Sequence, residues 1–513
     1  MRNLVFIFGD QLSHQLTALL DFDRDRDAVA MSEVDQEATK HWCHKSRLVF
    51  FFAAMRHFRD ELRSDGFPVH YQTLAPRPSR REAKTLCEYL HRLVNKYRPE
   101  RVVITQPGEW QIRQSIESLC REHSMALEIR NDDHFYVSVE DFRGWASGKK
   151  SLVLEHFYRW VRKKYHILIE EDGSPTGGDW NYDSQNRRSF GKAGPTEIPP
   201  LKGFPPDELT REVIALVESR FADHPGHLTH FDYPVTAAEA RLALADFIKH
   251  RLANFGDFQD AMWTNTTFLN HARLSAVLNA HLLRPDEVVS AAIEAYEKKH
   301  APLNAVEGFV RQVIGWREFV RGIYWTQMPE YAKRNGLGCT DRDVPTAFWD
   351  GQSEMNCVRQ AMQSVLEHGY AHHIQRLMVL GLYAQLLGVH PMKFHQWHMA
   401  MYIDAIDWVS LPNALGMSQH GDGGTVGTKP YCASGNYINR MSNYCQSCRY
   451  QPQAATGENA CPMTTMYWHF LDRHRESFQS NRRMTFQLKN LEKKSAGELQ
   501  LIREQANAIL STT

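Results

Sequence analysis

Cys445-Gln446-Ser447-Cys448 places two thiols within one turn, Cys461-Pro462 follows after a short polar segment, and Cys357 lies far upstream. Four thiolates can enclose a zinc ion or an iron-sulfur cluster, and a CxxC supplies two of them from one turn. Without another cysteine pair the zinc-ribbon pattern is incomplete, and Cys461-Pro462 has the Cys-Pro ending of some cluster-binding runs. Cys432 rivals Cys357 as the fourth ligand, because it is closer in sequence. A second group is His372-His373-Ile374-Gln375-Arg376, where on a helix both histidines neighbour the arginine. Paired histidines that bind metal sit at i and i+4, so adjacent ones suit an acid and its supporting group. A third is the helical stretch opened by Pro391, in which Trp397, Met401, Asp404 and Trp408 fall at i, i+4, i+7 and i+11 and share one face. A carboxylate on that apolar stripe needs a partner, either a ligand or Arg376. Trp316-Arg317-Glu318-Phe319 offers a similar mixture on another helix.

The elements that must position these groups divide the chain. Up to residue 135, the apolar runs Leu4 to Phe8, Leu48 to Ala53, Val69 to Tyr71, Val102 to Thr105 and Ala126 to Ile129 alternate with helix-length segments. That alternation predicts a doubly wound, Rossmann-like parallel sheet with helices on both faces. Such a domain binds ligands beyond the carboxyl ends of its strands, which here carry Gly9-Asp10-Gln11-Leu12 and Pro107-Gly108-Glu109-Trp110. No GxGxxG follows the first strand, which disfavours an ordinary dinucleotide site there. Residues 136–234 read as an irregular connector, broken by Gly173-Ser174-Pro175-Thr176-Gly177-Gly178 and Ile198-Pro199-Pro200, with Trp180-Asn181-Tyr182-Asp183 packed on a neighbouring domain. Residues 235–513 form a large, almost all-helical domain.

Composition sets the outer limits. The 513 residues are 42% hydrophobic, enough for two or three domains. Sixty Lys and Arg against sixty Asp and Glu exclude a global field that would draw the chain onto nucleic acid, so a polyanion must meet a local patch. No apolar run approaches the length of about 18 residues that spans a membrane. Nine cysteines in this length do not make a disulfide scaffold, and a reducing cytoplasm is the expected compartment.

Together the motifs resemble the photolyase and cryptochrome family, specifically its iron-sulfur branch of prokaryotic (6-4) photolyases. The resemblance runs from Phe8-Gly9-Asp10-Gln11-Leu12 and Ala54-Met55-Arg56-His57-Phe58, through Gly177-Gly178-Asp179-Trp180-Asn181 and Leu303-Asn304-Ala305-Val306-Glu307-Gly308, to Gly435-Asn436-Tyr437-Ile438-Asn439-Arg440-Met441. It implies light-driven repair of (6-4) photoproducts in ultraviolet-damaged DNA, single- or double-stranded, by a lyase using FAD, with no obligate protein partner. A cryptochrome-like photoreceptor and a cyclobutane-dimer photolyase are the alternative readings.

The resemblance also implies a 4Fe-4S cluster on Cys357, Cys445, Cys448 and Cys461, and it favours Cys357 over Cys432. FAD is expected near His271, Arg273, Ser275, Arg317, Arg376 and Asp404, with Ser410 where common photolyases place an asparagine near flavin N5. Trp397 and Trp349 resemble the family's electron-transfer aromatics, and His398 stands where tyrosine is frequent. A 6,7-dimethyl-8-ribityllumazine antenna is implied near Asp10, Glu33, Glu37 and Glu109, with Lys40 replacing a tyrosine. His373 matches the histidine beside the lesion and His372 the residue before it, while a second active-site histidine is replaced by Leu377. An imidazole with a pKa near neutrality suits the acid. Trp316 and Tyr431 are candidates for stacking on a flipped lesion. Lys429, Arg440, Arg473, Arg475, Arg482 and Arg483 are candidates for phosphate contacts.

Overall fold

A computed structural model describes residues 1–512. Five parallel strands, β1 (Asn3–Phe6), β2 (Ala28–Ser32), β3 (Val69–Gln72), β4 (Arg101–Thr105) and β5 (Ala126–Arg130), pair in the order β3-β2-β1-β4-β5. Side chains alternate across a strand, so Leu4, Phe6 and Phe8 enter a small core with Leu90, Val102 and Ile116. Val5 and Ile7 face the main core. The order reverses between β1 and β4, and Gly9-Asp10 and Gly108-Glu109 follow those two strands at the switch point where such sheets bind ligands.

Two expectations fail here for one reason. Leu48 to Ala53 is not a strand: it lies in the helix Lys45–Ser64, and the missed strand is β2. The helix packs on the sheet and on the helix Glu208–Arg220 and is buried around most of its circumference, so its apolar run imitates a buried strand. The connector is less irregular than expected, since it contains helices Val139–Ala146, Leu154–Tyr165 and Glu208–Arg220. Its aromatic loop packs as expected: Arg162 lies 5.2 Å from the Trp180 ring, and Tyr182 N–H donates to Glu307 Oε2 at 3.0 Å.

The remainder is helical, as predicted, and three of its helices carry π-helical turns, at Arg311–Trp316, Arg376–Gly381 and Pro412–Ser418. Arg317 follows the first, Arg376 opens the second, and Ser410 lies two residues before the third. An inserted residue re-aims the following side chains, which is why such turns gather at functional sites. The stretch from Pro391 to Ser410 is not one helix. It ends at Met401, Tyr402 is extended, Ile403 N–H donates to Gly369 O at 2.9 Å, and a second helix begins at Asp407. Asp404 therefore lies in a turn. Across the domain boundary, Leu12 N–H donates to Ala280 O at 2.9 Å and Trp408 N–H to Gly108 O at 3.3 Å.

Candidate functional site

Arg376, the first residue of its π turn, donates to Asp404 Oδ1 at 2.9 Å and to Ala371 O at 2.6 Å, and its guanidinium lies 3.9 Å from the centre of the Tyr402 ring. This is the partner that the buried carboxylate required. Arg376 holds Asp404 below the usual carboxylate range against the opposing effect of burial, and Ser275 adds a hydrogen bond. Asn279 donates to Asp404 O at 2.8 Å, and Arg317 donates to Leu278 O at 3.2 Å, so both tie the short helix Ser275–Asn279 into the site. Arg317 lies over Phe135 and Trp408, 4.2 and 4.9 Å from their ring centres. Its Nε and Nη1, Ser410 Oγ, Tyr402 Oη and both ring nitrogens of His372 are buried with no hydrogen-bond partner among the described residues. Buried polar atoms are rarely left so, and this set fits a polar, ring-bearing ligand.

Two residues of the expected phosphate stretch are already engaged within the protein. His271 Nε2 lies 3.1 Å from Gln259 O and Nδ1 3.2 Å from Phe268 O. Arg273 pairs with Asp232 and lies 3.7 Å over the Tyr233 ring. Ser275 is the member that faces Asp404. His271 instead makes a platform for His372, their rings stacked at 4.4 Å.

His372 is buried and His373 is exposed, so the adjacent pair splits into a packed ring and an accessible one. Desolvation, then repulsion from Arg376, lowers His373 from its ordinary value. His372 is pushed down further by burial, with His271, His373 and Arg376 adding to it.

Trp397 is 1% exposed and lies 5.5 Å from Tyr402, which joins it to Arg376. Its Nε1–H donates to Phe348 O at 2.9 Å, the carbonyl of the peptide leading to Trp349. His398 is 4.8 Å from Tyr402 and has an unpartnered Nε2. Sequence reasoning passed over Tyr402, whose one signal is its place two residues before Asp404.

Cys357, Cys445, Cys448 and Cys461 line one small cavity with Met355, Gly435, Ile438, Tyr444 and Tyr450. A Cβ on Gly435 would come within 2.8 Å of Cys461 Sγ, so only glycine leaves the cradle open. Burial and the other three thiols push Cys357 well up. Cys432 is outside this group, beside Lys429 and Tyr467. Asn356 donates to Tyr444 O at 2.8 Å, Gln375 to Tyr444 Oη at 3.1 Å, and His372 N–H to Gln375 Oε1 at 3.2 Å. This relay from the cysteine loop to the histidine pair has no local signature in the sequence.

At the sheet's switch point Asp10 and Glu37 are each raised to about 7, by burial first and Glu109 second, and Lys40 bonds Glu109 at 2.8 Å. Glu33 does not join them. It accepts from Arg56 at 2.7 and 2.9 Å, Tyr71 Oη at 2.8 Å and Leu74 N–H at 2.9 Å, which leaves it no free role. A carboxyl raised on folding stabilises the fold below its unfolded pKa, and that contribution is lost as pH rises through about 7. Asp10→Asn should therefore raise the thermal midpoint by about 2 °C at pH 8 and leave it unchanged near pH 4. A pH-independent difference in calorimetry would contradict the assignment.

Arg440 and Arg483 gather near Tyr431 and Tyr437, with Arg187 from the connector, which sequence reasoning missed. Lys429 lies nearby, beside Cys432, while Arg482 is exposed. Arg473, against Gly388, and Arg475, 3.6 Å from Asp472, do not join this group. Trp316 has Phe319 as its ring neighbour, at 6.3 Å, and makes no ring contact with Tyr431.

A family model described as "Deoxyribodipyrimidine photo-lyase-related protein" matches residues 5–233. A (6-4) photolyase of Agrobacterium fabrum is 44% identical over 485 residues, 94% of this chain and 94% of its own length. A bacterial class III photolyase from Agrobacterium tumefaciens aligns with TM-score 0.57 and 15% identity over 100% of this chain and 98% of its own. An archaeal photolyase from Sulfolobus tokodaii aligns with TM-score 0.53 and 12% identity over the whole of both chains. Those two likenesses establish the fold alone, a parallel-sheet domain followed by a helical one. The near full-length identity goes further: the chain belongs to the photolyase and cryptochrome family, in its prokaryotic (6-4) photolyase branch.

Proposed function

We propose that this chain is a (6-4) DNA photolyase, a lyase that repairs the ultraviolet-induced (6-4) photoproduct under light. The observation that carries the reading is one arginine serving two sides: Arg376 fixes Asp404 and Tyr402 while lying close enough to His373 to act on its proton. FAD fits the unpartnered atoms of Arg317, Ser410 and Tyr402, with Arg376, Asp404 and Ser275 as the residues that would hold it. When bound and reduced, FAD supplies the photoexcited electron that opens the lesion. Asp404, held ionised, is an acceptor toward the ligand, and Arg376 a donor. Ser410 offers a hydroxyl where common family members offer an amide.

His373 is the proposed proton donor at the lesion's migrating oxygen, and His372, packed against His271, fixes the backbone that presents it. Tyr431, with Arg187 and Arg483 as well as Asp183 and Asp260 around it, would receive the flipped dinucleotide, while those two arginines and Arg440, which lies over Tyr437, hold flanking phosphates. Cys357, Cys445, Cys448 and Cys461 would hold a 4Fe-4S cluster. Their shared cavity supports this. Asp10, Glu37 and Glu109 would bind the hydroxyls and ring nitrogens of a ribityllumazine antenna. Among the described residues no helix is long and apolar enough to cross a membrane.

The test is purified protein under blue light with separate oligonucleotides carrying each ultraviolet lesion. Conversion of the (6-4) product alone is expected. Repair of the cyclobutane dimer alone, or of neither lesion, would overturn the reading, the latter in favour of a photoreceptor.

A further inference from the structure

Among the described residues the large exposed hydrophobic side chains are Met1, Leu20, Trp42, Leu242, Phe486 and Leu501, and Trp42 is the one indole in that set. It is 45% exposed, yet its ring lies 5.5 Å from that of Trp349 at an interplanar angle of 41°. The contact crosses the domain boundary. Trp42 comes from the turn after the short helix Asp35–Thr39, and Trp349 from the helix Ala347–Asp350. Trp349 in turn is bonded to the Phe348 carbonyl that accepts from Trp397 Nε1 at 2.9 Å. One hydrogen bond, one peptide and one ring contact thus connect the buried Trp397 to water.

Solvation gives this path a direction. A radical cation on Trp397, 1% exposed, is desolvated; on half-buried Trp349 it is less so, and on Trp42 it meets water. A solvation difference of the size that separates buried from exposed polar groups shifts the partition of the charge about tenfold or more. We propose that Trp42 is the outermost indole of the electron route, the residue from which electrons enter the protein during flavin photoreduction. This rests on the photolyase reading.

The steps balance. Trp397 loses one electron to photoexcited oxidised flavin and regains one from Trp349. Trp349 takes one from the Trp42 indole. The Trp42 radical cation releases its Nε1 proton to water, and the resulting neutral radical takes a hydrogen atom from an external thiol, which becomes a thiyl radical.

The test compares wild type, Trp42→Phe, Trp42→Tyr and Trp397→Phe as holoproteins with oxidised flavin. Transient absorption follows the tryptophanyl radical, and mass spectrometry locates residues oxidised after illumination in air without thiol. Trp42→Phe should shorten the separated radical's lifetime about tenfold, from the lost solvation of the charge. It should also move the oxidation mark from Trp42 to Trp349, while oxidisable Trp42→Tyr restores a long-lived radical. An unchanged lifetime in Trp42→Phe with Trp42 unmarked in wild type overturns the proposal, even where Trp397→Phe abolishes the radical. If Trp397→Phe also leaves the radical unchanged, the whole route through these indoles falls, and the proposal with it.

Discussion

His373→Ala is expected to bind FAD and damaged DNA nearly as wild type does, to photoreduce normally, and to lose (6-4) repair by about a hundredfold or more, the usual contribution of a general acid. The flavin-side groups, Arg376, Asp404 and Ser275, do not depend on the His373 ring, and Leu377 supplies no second proton donor. Desolvation and the charge of Arg376 push His373 down in the chain alone, which favours its neutral ring at pH 7. The anionic lesion and its flanking phosphates must raise it on binding, since an opposite charge nearby favours the protonated form. The sign follows. Repair per absorbed photon should fall as pH rises through the pKa that His373 has in the complex, and in His373→Ala the residual repair should lose that dependence. Wild-type repair by the variant, or an unaltered pH profile, would remove His373 from the reaction.

The parts of this site that were legible in the sequence are those whose chemistry is local. CxxC is a one-turn signal, and His372-His373 with Arg376 is a one-turn neighbourhood, so both could be singled out. The fourth cysteine could not, because Cys357 and Cys448 are brought together by the packing of the helix Asn356–His368 against the Tyr444–Ser447 turn, a tertiary event. The loops after β1 and β4 are found because a parallel sheet dictates where its ligands sit, whereas the hydrogen bonds that hold Glu33, placed near the antenna by resemblance, are not legible. Nothing in its neighbours announces Arg56, Tyr71 and Leu74 as its partners. The misread helix Lys45–Ser64 and the break at Tyr402 share a cause: periodicity assumes one buried face and an unbroken axis, and the first helix lacks the former, the second stretch the latter. The π turns are invisible for the same reason, as one inserted residue leaves the apolar pattern almost intact. Trp42 gave no signal, because a lone tryptophan in a polar segment has meaning only beside Trp349.

Cys448→Ser is expected to lose iron and most of its solubility. The four cysteines come from the helix Asn356–His368, the Tyr444–Ser447 turn with Cys448 after it, and the start of the helix Pro462–Arg473, so a cluster bound there clamps three segments at once. Structural metal sites contribute about 10 kcal/mol or more to folding, comparable with the whole stability of a domain. The damage should also spread in a specific direction. Tyr444 leads through Gln375 to the His372 backbone, so any soluble fraction that retains flavin should still repair poorly, its lesion-side histidines no longer held. Cys432→Ser is the control: Cys432 lies outside the cavity, and its replacement should leave both iron and repair intact. Iron and sulfide per chain, measured on anaerobically prepared protein beside soluble yield and repair, check each step. Zinc without iron in the wild type, or a Cys448→Ser protein with full iron, would overturn the cluster assignment. An iron-free variant with wild-type repair would instead show that the Tyr444–Gln375 relay transmits nothing to His373.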